Sequence, residues 1–414
     1  MKTSNLSPRH HAAAAEHGTV VSTRRPLPRS GPLSLLDHPQ RVFEHITPNW
    51  FASVMGTGIV ATAAATLPVH IPGLRVLATI VWAMAATALT LLTGAFTVHW
   101  MRHRAKAKAY ASHPVMSQFY GAPAMAALTV GAGTITVGSD VVGASAAVHI
   151  DVTLWTVGTM LGLITAVKIP YDMITSHSHE SVIALPAWLM PLVPPMVSAS
   201  TGAVLIPHVG PGQFGRTFFF ACYAMFGLSL LVAMITITMI YSRLVHAGLP
   251  ATQSVPTVWI TLGALGQSIT AANLLGARAG LVFADAPALV SGLHVFGVLY
   301  GSVMAGFAAF VFTLAVALTV HALRRGLTFS LTWWSFTFPV GTCVTGAGAL
   351  GVAANVVSIQ WLAAALFVVL LFAWATVATH TLRGSWSGRL FRAADATPRP
   401  AAVVAVPHPM PATA

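Results

Sequence analysis

The chain has 414 residues, of which 56% are hydrophobic and only 7% charged, with a formal net charge of +12. A soluble domain carries about 25% charged residues to face water, so this composition excludes an ordinary soluble domain and points to lipid; the mean hydropathy of +0.76 agrees. The only two cysteines, Cys222 and Cys343, lie in apolar stretches, which excludes a disulfide framework and leaves the redox compartment open.

Residues 1–41 hold Arg9, Arg24, Arg25 and Arg29 among Pro, Ser and His. Their longest small apolar run, Ala12–Ala15, is too short for a signal-peptide core, so the segment is expected to be a disordered cytoplasmic tail. A helix needs about 20 apolar residues to cross a bilayer core of about 30 Å. Ten such stretches follow, near 48–67, 74–99, 114–138, 144–168, 183–206, 215–241, 255–276, 287–321, 331–354 and 359–382. The fold class expected is therefore all-α and integral to the membrane, with residues 42–383 as one transmembrane domain. Residues 384–414, with Arg389, Arg392 and Arg399 ahead of an Ala/Pro/Val run, read as a second disordered cytoplasmic tail.

Charge tests the count. Lys and Arg concentrate on the cytoplasmic side of membrane proteins. With ten spans, 18 of the 21 basic residues share the side of both tails, and only Arg75, Arg216 and Arg278 fall opposite. Both termini are thus expected in the cytoplasm. This distribution over tails and loops also argues against a nucleic-acid face.

The odd-numbered spans are interrupted by Gly56-Thr57-Gly58, by Gly121 and Pro123, by Pro186, Pro191, Pro194 and Pro195, by Gly263 and Gly266, and by Pro339 and Gly341. Broken helices in a membrane belong against protein or a water-filled path. Five helical hairpins, with an inner ring of kinked helices around a central pore, would satisfy that; small residues serving helix packing would also explain it.

Intramembrane ionisable groups are few. Asp151, near Trp155 and His149, is the one acid placed inside a span, and it reads as a structural or interfacial acid within reach of water, with a proton relay as the alternative. Lys168 and Asp172 read as snorkelling groups. No span carries the acid pairs of a cation pump. An anion path needs only weak, neutral ligands, and the odd spans supply Ser53, Thr57, Ser198, Thr201, Ser268, Thr270, Thr337 and Thr342. Such hydroxyls also bond back to their own helices. His177-Ser178-His179-Glu180 reads as a loop rather than a metal site, and Gly346-Ala347-Gly348-Ala349-Leu350-Gly351 lacks the strand and acid of a dinucleotide site. Gly158–Gly162 and Gly297–Gly301 fit helix packing. Eighteen histidines raise a membrane b-type haem protein as a remote alternative, for which only His149 and His294 lie clearly inside spans. No cofactor or metal is expected, and no catalytic residue.

Several motifs together resemble one family. They are Pro48-Asn49-Trp50-Phe51 with Met55-Gly56-Thr57-Gly58-Ile59, then Phe119-Tyr120-Gly121-Ala122-Pro123-Ala124-Met125. Val193-Pro194-Pro195-Met196-Val197 with Thr201-Gly202 follows, and Trp333-Trp334-Ser335-Phe336-Thr337-Phe338-Pro339 closes the match. Over residues 42–382 the chain resembles the tellurite-resistance/dicarboxylate transporter family, which includes plant slow anion channels, yeast malate permeases and fungal sulfite pumps. The resemblance implies ten helices as five hairpins around a pore, a homotrimer with one pore per subunit, and a phenylalanine of the ninth helix occluding the path. Here that residue is Phe338, with Phe336 as the alternative register. Pore-lining positions expected on this basis are Ser53, Gly56, Thr57, Gly58, Gly121, Pro123, Pro195, Ser198, Gly263, Gly266, Thr337 and Pro339. The expected activity is transport of a small anion across the plasma membrane, either a C4-dicarboxylate such as malate or a small inorganic oxyanion, with sulfite or tellurite efflux as the alternative.

Overall fold

The computed structural model describes residues 31–36, 38–175 and 184–392. Among them every regular element is helical. In chain order these are α1 (Phe51–Thr66), α2 (Leu74–Arg102), α3 (Arg104–Ala111), α4 (Gly121–Gly133), α5 (Ser139–Val142), α6 (Ala144–Thr175) and α7 (Pro194–Val209). They are followed by α8 (Gln213–Ala247), α9 (Ile260–Arg278), α10 (Pro287–Arg324), α11 (Phe338–Ala353) and α12 (Val357–Trp386). A π-helical turn, Thr134–Gly138, joins α4 to α5.

Among the described residues eight continuous helical segments are long and apolar enough to cross a bilayer, against the ten expected. The expected first and fifth spans fold as α1 and α7, each of 16 residues. Such a helix rises about 24 Å, short of a hydrocarbon core of about 30 Å. The reason lies ahead of them, where Pro48 and Pro186 open separate 3-10 turns, Pro48–Trp50 and Pro186–Leu189.

A 3-10 turn also precedes α4, α9 and α11, at Ser117–Tyr120, Thr252–Trp259 and Leu331–Phe336, without a proline at its start. Prolines expected to kink helices in mid-span therefore stand elsewhere: Pro123, Pro195 and Pro339 all occupy first turns. There the missing N–H leaves no hydrogen bond unmade. The helix is started, not bent.

Contacts run in a cycle. α1 packs on α4 and α11, α4 on α7, α7 on α9, and α9 on α11. Behind these stand α2 against α1, α6 against α4, α8 against α7, α10 against α9 and α12 against α11. Burial separates the two layers: 94% of the most apolar stretch of Thr252–Leu281 is buried, against 17% in Pro287–Arg324. The peripheral helices turn Leu91, Leu231, Ile235 and Phe372 outward, a surface suited to lipid and costly in water.

Small residues let the layers approach closely. A Cβ on Gly162 would fall 2.8 Å from Pro194, and one on Gly297 would fall 2.9 Å from the Ala272 carbonyl. The Gly158–Gly162 and Gly297–Gly301 pairs thus serve helix packing, and the Gly346–Gly351 run lies inside α11. Leu33 and Leu35 donate backbone hydrogen bonds to the Trp386 and Ser387 carbonyls (2.6 and 3.1 Å), and Phe391 stacks on Trp50 at 5.1 Å. Residues flanking the membrane domain on both sides are therefore packed onto it. His177–Glu180 lie outside the described residues.

Charge divides the two ends of the bundle. Arg102, Arg104, Lys106 and Lys108 lie together around α3. At the far end Arg75 and Arg216 are paired with Asp140 and Asp285, at 2.6 and 2.7 Å.

Candidate functional site

Two cavities lie within the ring of α1, α4, α7, α9 and α11, and both are lined by Phe338. The larger holds about 230 Å³ and is walled by residues of all five ring helices. The smaller holds about 20 Å³, room for about one water. Its wall comes from the starts of all five: Ala52 and Met55, Phe119 and Met125, Met190 and Val193, Ile260 and Gly263, and Phe338 with Pro339. Helix N-termini carry a partial positive charge from aligned peptide dipoles. Five of them converge on this cavity, with no acidic side chain in its wall.

The Phe338 ring is 2% exposed and stands at the first position of α11, directly after the 3-10 segment. Phe336, two residues earlier, turns away into an aromatic cluster, edge-on to Trp259 and Trp333 with centroids 5.6 Å apart in each case. It lines neither cavity.

Of the other sequence-derived positions, Gly263 and Pro339 line the smaller cavity. The rest make contacts within their own segments or with neighbouring helices. Ser53 Oγ donates to the Trp50 carbonyl (2.7 Å), and Thr57 accepts from the Trp374 indole (3.1 Å). Ser198 Oγ donates to the Pro194 carbonyl (3.2 Å) and accepts from Thr159 (2.9 Å). Thr337, fully buried, donates to the Trp334 carbonyl at 2.7 Å. A Cβ on Gly56 would meet Trp334, one on Gly58 would meet Thr129, one on Gly121 would meet the Met190 carbonyl, and one on Gly266 would meet Thr342. Pro123 is half-buried and Pro195 buried, each in a first turn. These residues build the ring and hold its members close.

The larger cavity is lined by side chains that sequence reasoning passed over: Thr62, Thr129, Ser200, Gln267, Asn273 and Thr345, beside Thr201 and Thr270, which it had named. No residue of its wall is charged. The hydroxyls bond back to their own helices, as expected: Thr129 to the Met125 carbonyl (2.7 Å), Ser200 and Thr201 to that of Val197 (2.9 and 2.8 Å), and Thr270 to that of Gly266 (3.0 Å). The signal available in the sequence was Gln267 and Asn273, the two carboxamides of span seven; nothing in the apolar pattern says which way they face.

Asp151, read as a structural or interfacial acid, is fully buried against Gly131 of α4, away from the water within reach that the interfacial reading expects, and neither carboxyl oxygen has a hydrogen-bond partner among the described residues. Lys168 and Asp172 pair with each other at 2.6 Å on an exposed surface. His149 and His294 are exposed on peripheral helices, and His149 bonds to its own helix at the Ser145 carbonyl (2.7 Å). Facing axial ligands inside the bundle, which a haem needs, are not what these two residues provide.

An all-helical membrane protein with neutral, hydroxyl-lined space inside a helix ring is a transporter or channel by architecture. Residues 45–382 match the model of the voltage-dependent anion channel family (SLAC1), and the chain belongs to that family. It is 27% identical over 350 residues to the sulfite efflux pump SSU1 of Arthroderma otae, covering 83% of this chain and 92% of the pump. An uncharacterised transporter of Methanocaldococcus jannaschii is 24% identical over 353 residues, 85% of this chain and 96% of the relative. The Candida albicans sulfite efflux pump SSU1 is 25% identical over 333 residues, 73% of this chain and 65% of the pump.

Proposed function

We propose that this protein carries small oxyanions, sulfite foremost, across the plasma membrane through the axis of the helix ring, and that Phe338 closes the path. The observation that carries the reading is the position of one ring in the walls of two cavities, with a neutral polar space on one side and five helix starts on the other. Sulfite takes precedence over a C4-dicarboxylate because the fungal relatives are named as sulfite efflux pumps.

The path selects for negative charge without a fixed cation. Converging helix N-termini attract an anion, and hydroxyls of the larger cavity can turn their protons off the helix carbonyls to meet it. Each such turn gives up about 0.5–1.5 kcal/mol of backbone hydrogen bond. Binding is then weak, as conduction demands. The phenyl ring blocks both sterically and by keeping water out of the smaller cavity, which holds one molecule at most.

In this reading α1 and α7, extended by their 3-10 turns, are the first and fifth of ten spans, and the five contact pairs are hairpins with their short connections on the far side. The basic end faces the cytoplasm and three copies assemble, as the resemblance implies. Phe338→Ala should raise anion conductance per surface molecule in planar bilayers or oocytes, and Phe338→Leu should raise it less. If neither Phe338→Ala nor Phe336→Ala gains conductance while the protein remains folded, an aromatic gate is ruled out.

A further inference from the structure

The larger cavity opens where the ring helices finish. Its wall includes Thr66, the last residue of α1, Thr136 of the π-helical turn after α4, Ala277 one residue from the end of α9, and Ala353, the last residue of α11. Ala277 and Val352 of that wall are exposed. Aligned peptide dipoles leave partial negative charge at helix C-termini. A mouth built from such ends repels an anion, whereas the helix starts around the smaller cavity attract one. Two acids stand at the same end of the bundle, and an arginine holds each: Arg75 meets Asp140 at 2.6 Å, and Arg216 meets Asp285 at 2.7 Å. Among the described residues at this end, the charge left over is that of Arg278.

Arg278 lies in the last turn of α9, is exposed, and pairs with no acid among the described residues. It follows Leu274 by four residues and Gln267 by eleven, and both of those line the cavity. Eleven residues make about three turns of helix, which returns Arg278 to within about 20° of Gln267 around the axis. Its side chain therefore leaves α9 on the cavity side, beside Ala277 and at the opening. We infer that Arg278 collects anions for the path: its uncompensated charge offsets the repulsion of the helix C-termini and raises the local anion concentration at the mouth opposite the basic end. A charge at a concave opening with low-dielectric walls steers ions from a distance. It does so without holding them tightly, as conduction requires. A cation in a last turn also favours its own helix, a role that depends far less on ionic strength outside the mouth and not at all on the side from which the anion enters. This inference rests on the anion-path reading above.

Planar-bilayer currents would test it in the Phe338→Ala background, where the proposed gate is absent, with Arg278→Lys, Arg278→Gln and Arg278→Glu compared. Nitrate is supplied first from the side of the mouth alone. In water, a unit charge about 7 Å from a passing anion changes its local concentration about threefold. At an ionic strength of about 10 mM, where screening is weak, Arg278→Gln should therefore lower the current about threefold and Arg278→Glu about sevenfold. Arg278→Lys should keep it. Raising the ionic strength to about 1 M with potassium gluconate shortens the screening length to about 3 Å, and the four currents should converge. Nitrate supplied from the basic end should show a smaller loss in every variant. Currents of the Gln and Glu variants equal to the parent's at low ionic strength would overturn the inference while leaving the path intact. So would a loss that persists at high ionic strength or is shared by Arg278→Lys, because neither screening nor a retained charge repairs a structural defect. No anion current from folded wild-type protein and Phe338→Ala alike would overturn the path itself and this inference with it.

Discussion

The indole Nε1 of Trp334 donates a hydrogen bond to Thr381 Oγ1 at 3.0 Å, tying the 3-10 segment before Phe338 to the last turns of α12. The indole is 3% exposed, so neither group meets water as a substitute partner. The position of the Phe338 ring is therefore set from a peripheral helix as well as from its own.

If Phe338 closes the path as proposed, cutting that tie should loosen the closure without removing the ring. Thr381→Val keeps the shape and deletes the acceptor, leaving a buried donor unpaired at a cost of about 1–3 kcal/mol. The expected outcome is a lower thermal midpoint in detergent and a resting conductance between those of wild type and Phe338→Ala. A midpoint shift with wild-type conductance would confine the bond to stability.

The burial of Asp151 changes what its removal should do. A carboxyl with no partner in an apolar contact costs free energy in the folded state, and asparagine has the same shape without the possibility of charge. Asp151→Asn should give an equal or greater yield of folded protein, with transport and its pH dependence unchanged. Loss of proton-driven accumulation beside intact downhill exchange would instead identify Asp151 as a proton carrier.

Acid should undo the packing at the basic end in two stages. Burial pushes the His45 imidazole below its ordinary value, and its Nδ1 is hydrogen-bonded to Tyr110 Oη at 2.7 Å. A base with a lowered pKa binds fewer protons folded than unfolded, so its contribution is whole above the ordinary 6.5 and is lost as pH falls toward the lowered value. Glu44, held below its ordinary 4.5 by the hydrogen bond from Lys106, contributes above that pH and loses it as pH falls through its own lowered value. Amide hydrogen exchange over residues 39–45 should thus accelerate first below about pH 6.5 and again in stronger acid. Glu44→Gln should remove the second step alone. A single step, or none, would refute the assignment.

Orientation can be checked by labelling. Ala203, although expected in the fifth span, is 1% exposed and unusable as a reporter, whereas Ala105 and Gln213 are exposed at opposite ends. In a background lacking Cys222 and Cys343, a cysteine at Ala105 should react only from the cytoplasm and one at Gln213 only from outside. Reaction of the Ala105 cysteine in intact cells would reject the topology.

Much of this protein was already decided by its one-dimensional pattern. Leu91, Ile235 and Phe372 belong to runs too apolar for water, and Lys106, Arg243 and Arg325 gather on one side of them; both properties add residue by residue and need no knowledge of packing. The Trp333–Pro339 motif likewise marked Phe338 through resemblance. Tertiary structure decided the rest, because facing is a property of pairs of helices. A hydroxyl at Thr57 and one at Thr270 look alike in sequence, yet the first meets Trp374 of α12 and the second borders the larger cavity. Prolines 123, 195 and 339 read as kinks until the ends of the helices showed them to be starts. Asp151 lost its expected water, and Gln267 and Asn273 were left with unpaired oxygens, only when α4, α7 and α10 closed around them: burial depends on neighbours supplied from distant parts of the chain, and no local pattern encodes which neighbours those will be.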